Sequence, residues 1–388
     1  MTTSAGERLA DWIARHPASP IGRLAALRIG LPRRTDLREI ATAPPTLTRV
    51  LIAPANYAGQ ATQWARALEQ AVAHLGARSL AVESAFGFPA DARVSRRVFQ
   101  NSPRWQRAQS TAAEGFSHLL VESLIPPFGR LARRDLRRQL ARLGTGISVA
   151  FVCHGTDVRS AGRPHEELTS AERQADRIAR RNRSLLAQLS GPVFVTTPDL
   201  LDDVPDATWL PVVIDVERWR AHARTVVPGM RVVHIPSSSA LKGTAMVDPV
   251  AQLLHAEGVI DYRTASGVRH DRMPGELSRA DVVLDQFVLG SYGVAACEAM
   301  AAGCVVVGHV TPVVRDRVRA ATGRDLPIVE ATPATLSSVL RRLAADPAER
   351  ARIAEAGSAF TGAVHDGRLS ADILAHTWIS PDSPRSAA

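Results

Sequence analysis

The segment Asp285-Gln-Phe-Val-Leu-Gly-Ser-Tyr-Gly-Val-Ala-Ala-Cys-Glu-Ala-Met-Ala-Ala-Gly303 lies between two valine-rich runs, Val282 to Phe287 and Cys304 to Val310. Short apolar runs of this kind predict buried strands. Between them, a turn with two glycines leads into Val294 to Ala302, which is rich in strong helix formers. A strand, a helix and a second strand in this order indicate a parallel sheet and an α/β fold.

The same alternation extends in both directions along the chain. Further strands are predicted at Val50 to Ala53, Leu80 to Glu83, Leu119 to Glu122, Val149 to Cys153, Val193 to Thr196, Met230 to Ile235, Ile260 to Tyr262 and Ile328 to Glu330. Predicted helices include Ala61 to Leu75, Arg130 to Leu143, Glu166 to Leu189 and Pro333 to Ala344. Because the strand pattern restarts after about residue 220, we expect two doubly wound, Rossmann-like domains that face a cleft.

The length of 388 residues also fits two domains. Residues 198–219 are rich in proline and acidic residues, which is typical of a hinge. We therefore predict an extension that packs on the first domain (1–48), an N-terminal acceptor domain (49–205) and a C-terminal nucleotide-sugar domain (206–360). Residues 361–388 are predicted to form a helix that returns to the first domain and a disordered tail.

The basic residues comprise 46 arginines and a single lysine, Lys242, and the net charge is +9. Residues 1–200 carry +12 and residues 201–388 carry −3, so the two halves are expected to meet different partners. No apolar run is long enough to span a membrane, and the three cysteines suit a reducing compartment. We therefore expect a cytoplasmic protein.

Residues 93–142 contain eleven arginines and three acidic residues. One interpretation is a helix that covers the sheet and exposes an arginine face to solvent. The other is contact with an anionic membrane or a lipid-phosphate acceptor, which would place the protein at the inner membrane face. Few aromatic residues lie between these arginines, so nucleic acid is not expected as a partner.

Two segments of the second half suit a bound diphosphate. Lys242 follows a strand and a run of small residues, so its ammonium group and the backbone N–H groups of the next helix could face an anion. In the opening segment, the turn N–H groups could bind a second phosphate edge, and Glu298 could accept hydrogen bonds from both ribose hydroxyls. The alternatives are a solvated surface lysine and an ordinary helix glutamate.

Several other motifs are absent from the sequence. Lys242 does not follow glycine, which excludes a P-loop, and no Gly-x-Ser-x-Gly elbow, zinc-ligand spacing or Asp-x-Asp clamp occurs. We therefore predict no metal ion and no cofactor, and phosphate binding by Lys242 and backbone N–H groups.

With Lys242, the glycine turn and Glu298-Ala-Met-Ala-Ala-Gly303 at this spacing, the chain resembles the GT-B retaining glycosyltransferases of family 4. Val268-Arg-His-Asp-Arg-Met273 resembles the stretch of that family that contacts the base. The resemblance implies a bacterial, metal-independent hexosyltransferase of glycan biosynthesis that uses a UDP or GDP sugar. The donor-binding residues that it implies are Ser237, Ser238, Lys242, Gly243, His270, Met273, Gly290, Ser291, Tyr292, Gly293, Val294 and Glu298.

The resemblance in the first half rests on two loops that follow strands. The loop Pro54-Ala-Asn-Tyr-Ala-Gly-Gln60 is similar to an acceptor-binding loop, and His154-Gly-Thr-Asp-Val-Arg159 is similar to a loop whose histidine contacts the transferred sugar. The acceptor or sugar residues thus implied are Asn56, Tyr57, Gly59, Asp157 and Arg159. The catalytic residues implied are Lys242, His154 and Glu298. We expect the acceptor to be lipid-linked or to be a cell-envelope, polysaccharide or secondary-metabolite glycan.

The sequence departs from the family at position 290, where the resemblance implies a glutamate and the chain has Gly290. An arginine expected a few residues before Lys242 is also missing. Asp285 or the turn N–H groups are possible substitutes for the absent carboxylate. A nucleotide-sugar epimerase of GT-B type and a catalytically degenerate GT-B binding protein remain alternatives. A phosphorylase of similar fold class would be much longer.

Overall fold

The structure is a computed structural model, and it describes residues 19–21, 24, 39–160, 169–220 and 229–380. Most of the predicted extension, 1–48, and all but the first residue of the predicted tail, 380–388, lie outside the described residues. The contacts divide the described chain into two compact units. The first contains residues 39–84, 89–153 and 185–192, and the second contains 85–88, 154–184 and 193–380 apart from the gaps. The domain bounds inferred from the sequence stay predictions.

The first unit contains five parallel strands: β1 (Thr48–Ala53), β2 (Leu75–Val82), β3 (Ala92–Val94), β4 (His118–Glu122) and β5 (Ser148–Cys153). Their spatial order, β3-β2-β1-β4-β5, is that of a Rossmann-like sheet. In β1 the residues 50–53 are completely buried, because helices cover both faces of such a sheet. The apolar runs that predict these strands are therefore the runs that form the core.

The helices of the first unit are α1 (Gln60–Ala71), α2 (Arg96–Asn101), α3 (Pro103–Ala113) and α4 (Leu136–Ala141). The prediction of one helix over Arg130 to Leu143 is wrong, because Leu131–Arg134 forms a tight turn with left-handed backbone at Ala132, Arg133 and Arg134. Helix α4 then starts anew behind Asp135, whose carboxylate accepts from the Arg138 N–H (3.1 Å). Helix α1 ends four residues before Leu75 because β2 begins there.

The second unit contains the short parallel pair β6 (Val193–Val195) and β7 (Thr208–Trp209) and a separate five-stranded parallel sheet. The strands of that sheet are β8 (Arg231–His234), β9 (Asp261–Thr264), β10 (Val282–Leu284), β11 (Val305–Gly308) and β12 (Val329–Glu330). Their order is β12-β11-β10-β8-β9. This is a second doubly wound arrangement, as the sequence predicts.

The remaining helices cover this sheet or connect its strands. They are α5 (Ser170–Leu186), α6 (Val216–Arg220), α7 (Ser239–Lys242), α8 (Thr244–Ala256), α9 (Met273–Leu277), α10 (Val294–Ala301), α11 (Pro312–Thr322), α12 (Leu336–Ala345), α13 (Pro347–Val364) and α14 (Arg368–Leu374). A single π-helical turn, Ala375–Ile379, follows α14. Within the described residues, no helix has the length and apolar character that crossing a membrane requires.

Helix α10 carries Glu298 through the core of the second unit. Six of its eight residues are buried, and α13 crosses it at Gly357. A Cβ atom on Gly357 would lie only 3.2 Å from the Met300 Cγ, so glycine permits the close approach of the two helices. Because both its neighbours and its own side chains are packed, α10 is a rigid support for the turn that precedes it.

The buried His365 connects the turn before α10 with the segment around Val212, which precedes α6. The His365 Nδ1 donates to the Val212 carbonyl (2.7 Å), and its Nε2 lies 3.3 Å from the Tyr292 hydroxyl. Because a carbonyl only accepts, Nδ1 carries the proton and Nε2 accepts from the tyrosine. Burial lowers the pKa of His365 to about 4 and raises that of Tyr292 well above its ordinary value, so both groups are neutral at pH 7.

We expect the stability to depend on pH through His365. As pH falls below about 6.5, unfolded chains bind a proton at this residue that the folded protein excludes until about pH 4. Folding therefore loses on the order of 3 kcal/mol across this window. In urea unfolding, His365→Gln should be less stable than the wild type at pH 7, and the difference should shrink towards pH 4.5. A difference that stays constant with pH would contradict the assignment.

Candidate functional site

The candidate site is centred on the carboxyl ends of β8 and β10. These strands are parallel neighbours, with His234 opposite Leu284. The strand order reverses at this pair, since β9 lies on one side and β11 and β12 lie on the other. Ligands of open α/β sheets bind outside the carboxyl ends of the strands at such a reversal. Both segments that the sequence singles out begin here: residues 235–243, called the Lys242 turn, and residues 285–293, called the Gly290 turn.

His234 joins the two strands to the following helix. Its Nδ1 donates to the Leu284 carbonyl (2.8 Å), and its Nε2 lies 2.9 Å from the Thr244 hydroxyl at the start of α8. Burial lowers the pKa of His234, which keeps the ring neutral and lets Nε2 accept from the hydroxyl. The end of β8, the end of β10 and the start of α8 are thereby held in fixed positions.

The Lys242 turn lies directly against the segment that follows β10. Helix α7 ends at Gly243, whose φ of 77° is in the left-handed region. A Cβ atom on Gly243 would lie 3.2 Å from Phe287 and from Val288. Ser237 is exposed at the start of the turn, and Ser238 is half-buried where α7 begins. The two turns are therefore in van der Waals contact through a glycine.

Lys242 forms an ion pair with Asp285 across this contact. The side chains are 15% and 6% exposed, so both charges are largely removed from solvent. Asp285 is held in place because its own N–H donates to the Val307 carbonyl (3.0 Å). An ammonium group has three N–H donors, and one is directed to Asp285, which leaves two for a ligand. The carboxylate that the sequence offers as a possible sugar contact therefore binds the lysine through one of its oxygens.

A side chain at the first glycine of the next turn would be strained and would overlap with a neighbouring residue. Gly290 has a φ of 67°, and a Cβ atom there would lie 2.6 Å from the Thr311 Cγ2. The Thr311 N–H donates to the Gly290 carbonyl (2.9 Å), which keeps the two segments together. The absence of a glutamate at this position thus has a structural reason: threonine fills the space, and the backbone conformation favours glycine.

The residues after Gly290 offer backbone groups rather than side chains. Ser291 is buried, and its hydroxyl finds no hydrogen-bond partner in the described part of the chain. The Tyr292 side chain is buried in the core against His365. Gly293 precedes α10, and the first N–H groups of the helix, beginning with Val294, have no partner within it. These N–H groups are available to an anion.

Glu298 lies one turn inside α10 and is only 7% exposed. Its Oε1 accepts from the His270 Nε2 (2.9 Å). Burial raises the pKa of Glu298, while the hydrogen bond and the charge of His270 oppose that rise. The structure therefore brings together two residues that the sequence assigns separately to the ribose and the base.

His270 is enclosed by aromatic side chains. The centroid of the His270 ring lies 4.7 Å from that of Phe88 and 5.7 Å from that of Trp219. The His270 N–H also donates to the Phe86 carbonyl (3.3 Å), while Met273 packs against the apolar core. No sequence pattern pointed to Phe86 or Phe88, because residues almost 200 positions away supply their partners.

In the first unit, the loop after β1 is shaped by a buried carboxylate that sequence reasoning missed. Glu122 accepts from the N–H groups of Ala55 (2.8 Å) and Asn56 (2.7 Å). The Asn56 amide in turn donates to the Pro89 carbonyl (2.8 Å), so this buried side chain holds the loop together. Tyr57 is exposed, and Gly59 is buried with left-handed backbone. An acidic residue at the end of an apolar strand was the available signal.

The loop after β5 is held by its own polar residues. The Asp157 carboxylate accepts from the N–H groups of His154 (2.9 Å) and Gly155 (2.7 Å). Arg159 forms an ion pair with Asp199 (2.7 Å). Asp157 and Arg159 thus shape this loop, and His154 lies half-buried at its start.

Within the described ranges, no group of three or more His, Cys, Asp or Glu side chains is placed to hold a metal ion. At the carboxyl ends of β8 and β10, the Lys242 ammonium group and the N–H groups at the start of α10 could bind a phosphate. The free cysteines Cys153, Cys297 and Cys304 are buried, so none of them is presented to a ligand.

No protein-family model matches the chain, and no curated protein is similar to it in sequence. Its fold, however, matches solved glycosyltransferases. Sucrose-phosphate synthase of Thermosynechococcus elongatus is 14% identical with a TM-score of 0.57, over 83% of this chain and 96% of that one. HepE of Anabaena, in complex with UDP-glucose, is 12% identical with a TM-score of 0.52, over 84% and 98%. An α-glucosyltransferase with UDP and DNA is 9% identical with a TM-score of 0.51, over 82% and 95%. The chain has the GT-B fold with two Rossmann-like domains.

The packing at Gly290 predicts a coupling with Thr311. Gly290→Ala should lower the free energy of unfolding by about 2–4 kcal/mol, from left-handed backbone and overpacking together. Gly323→Ala is the matched control, because Gly323 has a φ of 68° and no atom within 4 Å of its Cβ position. Adding Thr311→Ala to Gly290→Ala should restore the part of the stability that overpacking removes. Adding it to Gly323→Ala should restore none. A double-mutant cycle without coupling would contradict this packing.

Proposed function

We propose that this protein is a retaining glycosyltransferase that moves a sugar from a nucleoside diphosphate sugar to an acceptor. The observation that carries the proposal is the contact between the Lys242 turn and the Gly290 turn at the strand-order reversal, with Glu298 buried behind it. Two of the solved structures of the same fold contain UDP or UDP-glucose. This supports a UDP sugar as the first donor to test, followed by a GDP sugar.

The donor would bind to the second unit through groups of three kinds. Its diphosphate takes the two remaining donors of Lys242 and the N–H groups at the start of α10. Its ribose takes Glu298, and the base lies towards His270. Each contact of a hydroxyl with a carboxylate is worth roughly 1.5–3 kcal/mol. No metal ion is needed in this scheme, because lysine and backbone supply the positive field.

The reaction breaks the bond between the anomeric carbon and the diphosphate oxygen and forms a bond from that carbon to the acceptor oxygen. The electron pair of the broken bond stays on the departing diphosphate, whose charge Lys242 and the N–H groups stabilise. The departing phosphate oxygen takes the acceptor proton from the same face, which retains the anomeric configuration. A paired general acid and base is therefore unnecessary.

The acceptor would bind to the first unit, at the loop after β1. Tyr57 is exposed there, whereas Asn56 and Glu122 hold the loop. Ten of the eleven arginines between residues 93 and 142 are exposed. This charge suits an anionic glycan or lipid-linked acceptor. Contact with an anionic membrane stays a prediction.

Nucleotide binding tests the proposed donor site. A thermal-shift panel of UDP, GDP, dTDP and ADP should identify one nucleotide that raises the melting temperature. Glu298→Gln should weaken binding of that nucleotide by about 10- to 100-fold, the scale of one hydrogen bond to a charged group. Folding should be unaffected, because glutamine has the same size as glutamate and keeps an oxygen that can accept from His270. Glu257→Gln, at an exposed helix end, is the control. Equal binding by both variants would refute the ribose contact.

Turnover tests the role of Lys242. Lys242→Ala should reduce donor cleavage by about 10²- to 10³-fold, the scale of losing one charge-stabilising donor. The same substitution leaves Asp285 buried without its partner, which costs about 3–5 kcal/mol of stability. The paired variant Lys242→Met with Asp285→Asn avoids that cost and should lose turnover equally.

The control for the paired variant is Arg231→Met with Asp281→Asn, which removes the ion pair at the opposite ends of β8 and β10. It should keep turnover at the wild-type level. Near wild-type cleavage by a folded Lys242 variant would overturn the assignment. A wild type that binds the nucleotide but releases no sugar would instead favour a catalytically degenerate binding protein. The absence of a carboxylate at Gly290 supports that alternative.

A further inference from the structure

The loop after β11 lies beside the turn that follows β10. The two strands are parallel neighbours, so their carboxyl ends meet at the same edge of the sheet. His309 is the first residue after β11, and its N–H donates to the Gln286 carbonyl (2.6 Å). From a Cβ atom on Gly290, the His309 Nε2 would be 3.7 Å away and its Cδ2 3.8 Å away. The edge of the His309 ring therefore lies within van der Waals distance of the position where a side chain of residue 290 would begin.

The orientation of this imidazole is fixed from the other side. The His309 Nδ1 lies 2.7 Å from the Glu330 Oε1. The other Glu330 oxygen accepts from the Val310 N–H (2.9 Å) and from Arg315 (3.2 Å), so the carboxylate itself is held. Because a carboxylate only accepts, Nδ1 is the atom that donates to Glu330. With the ring in its neutral form, Nε2 is then an acceptor on the side of Gly290.

We propose that His309, held by Glu330, accepts a hydrogen bond from a hydroxyl group of the donor sugar. The proposal rests on the proposed function: with the diphosphate at Lys242 and the start of α10, the sugar attached to it would lie beside the Gly290 turn. That turn presents no side chain at Gly290, and Asp285 is already bound to Lys242. The His309 side chain is 26% exposed, so a ligand can reach it.

This arrangement makes His309 a residue that selects the donor. A neutral imidazole nitrogen accepts one hydrogen bond along one direction, in the plane of the ring. A hexose with a hydroxyl in that direction satisfies it, whereas the corresponding deoxy sugar leaves it unpaired. Glu330 is the positioning residue, because it acts on the sugar only through the ring that it orients.

The test compares a nucleotide with its own sugar conjugate, measured by calorimetry on the full chain. The nucleotide is the one of UDP, GDP, dTDP and ADP that binds the wild type, and the conjugate is its glucose ester. His309→Ala should leave the Kd of the free nucleotide unchanged and raise that of the glucose conjugate by about three- to tenfold, the scale of one neutral hydrogen bond. His309→Phe keeps the shape of the ring without the acceptor and should give the same result.

His255→Ala is the matched control, because this exposed histidine also lies near an aspartate, Asp261, but on α8. It should change neither Kd. Equal loss of nucleotide and conjugate in the His309 variants would indicate damage to the whole site and overturn the proposal. So would unchanged binding of the conjugate by folded variants. A wild type that binds none of the nucleotides would overturn the proposed function first, and this inference with it.

Discussion

The parallel pairing of β8 with β10 is the constraint on which the candidate site depends. It is fastened at both ends by opposite charges: Arg231 with Asp281 at the amino ends, and Lys242 with Asp285 at the carboxyl ends. His234 adds a hydrogen bond to Leu284 between them. Because neighbouring parallel strands end at one edge, the turns that follow them must meet there. Residues more than forty positions apart therefore come together without any local sequence signal.

The ion pair at the carboxyl end is better understood as a positioning device than as a source of stability. Removing two charges from solvent costs about as much as their attraction returns, so such a pair adds little net stability. Its effect is on geometry, since a flexible lysine side chain is directed to one place beside the glycine turn. The chain uses arginine for nearly all its other positive charge. A compact ammonium group, which shares its donors between several acceptors, suits this position better than a planar guanidinium.

The strands and the turns after them could be predicted from the sequence, because buried parallel strands are continuous apolar runs. Contacts between distant residues could not. The partnership of Lys242 with Asp285 depends on strand order, and the role of Glu122 depends on a loop that curls over the end of β4. The helix expected at Arg130 to Leu143 failed for a different reason. Its apolar spacing is helical, but left-handed backbone before Asp135 interrupts it, and arginine gives no signal of that conformation.

The hydrogen bond between His270 and Glu298 limits how a ribose could use the same carboxylate. The imidazole already occupies one oxygen of the carboxylate, and its ring packs against Phe88 and Trp219. In the proposed donor site, the ribose hydroxyls would therefore share the carboxylate with the imidazole, and the second oxygen of Glu298 would accept from them.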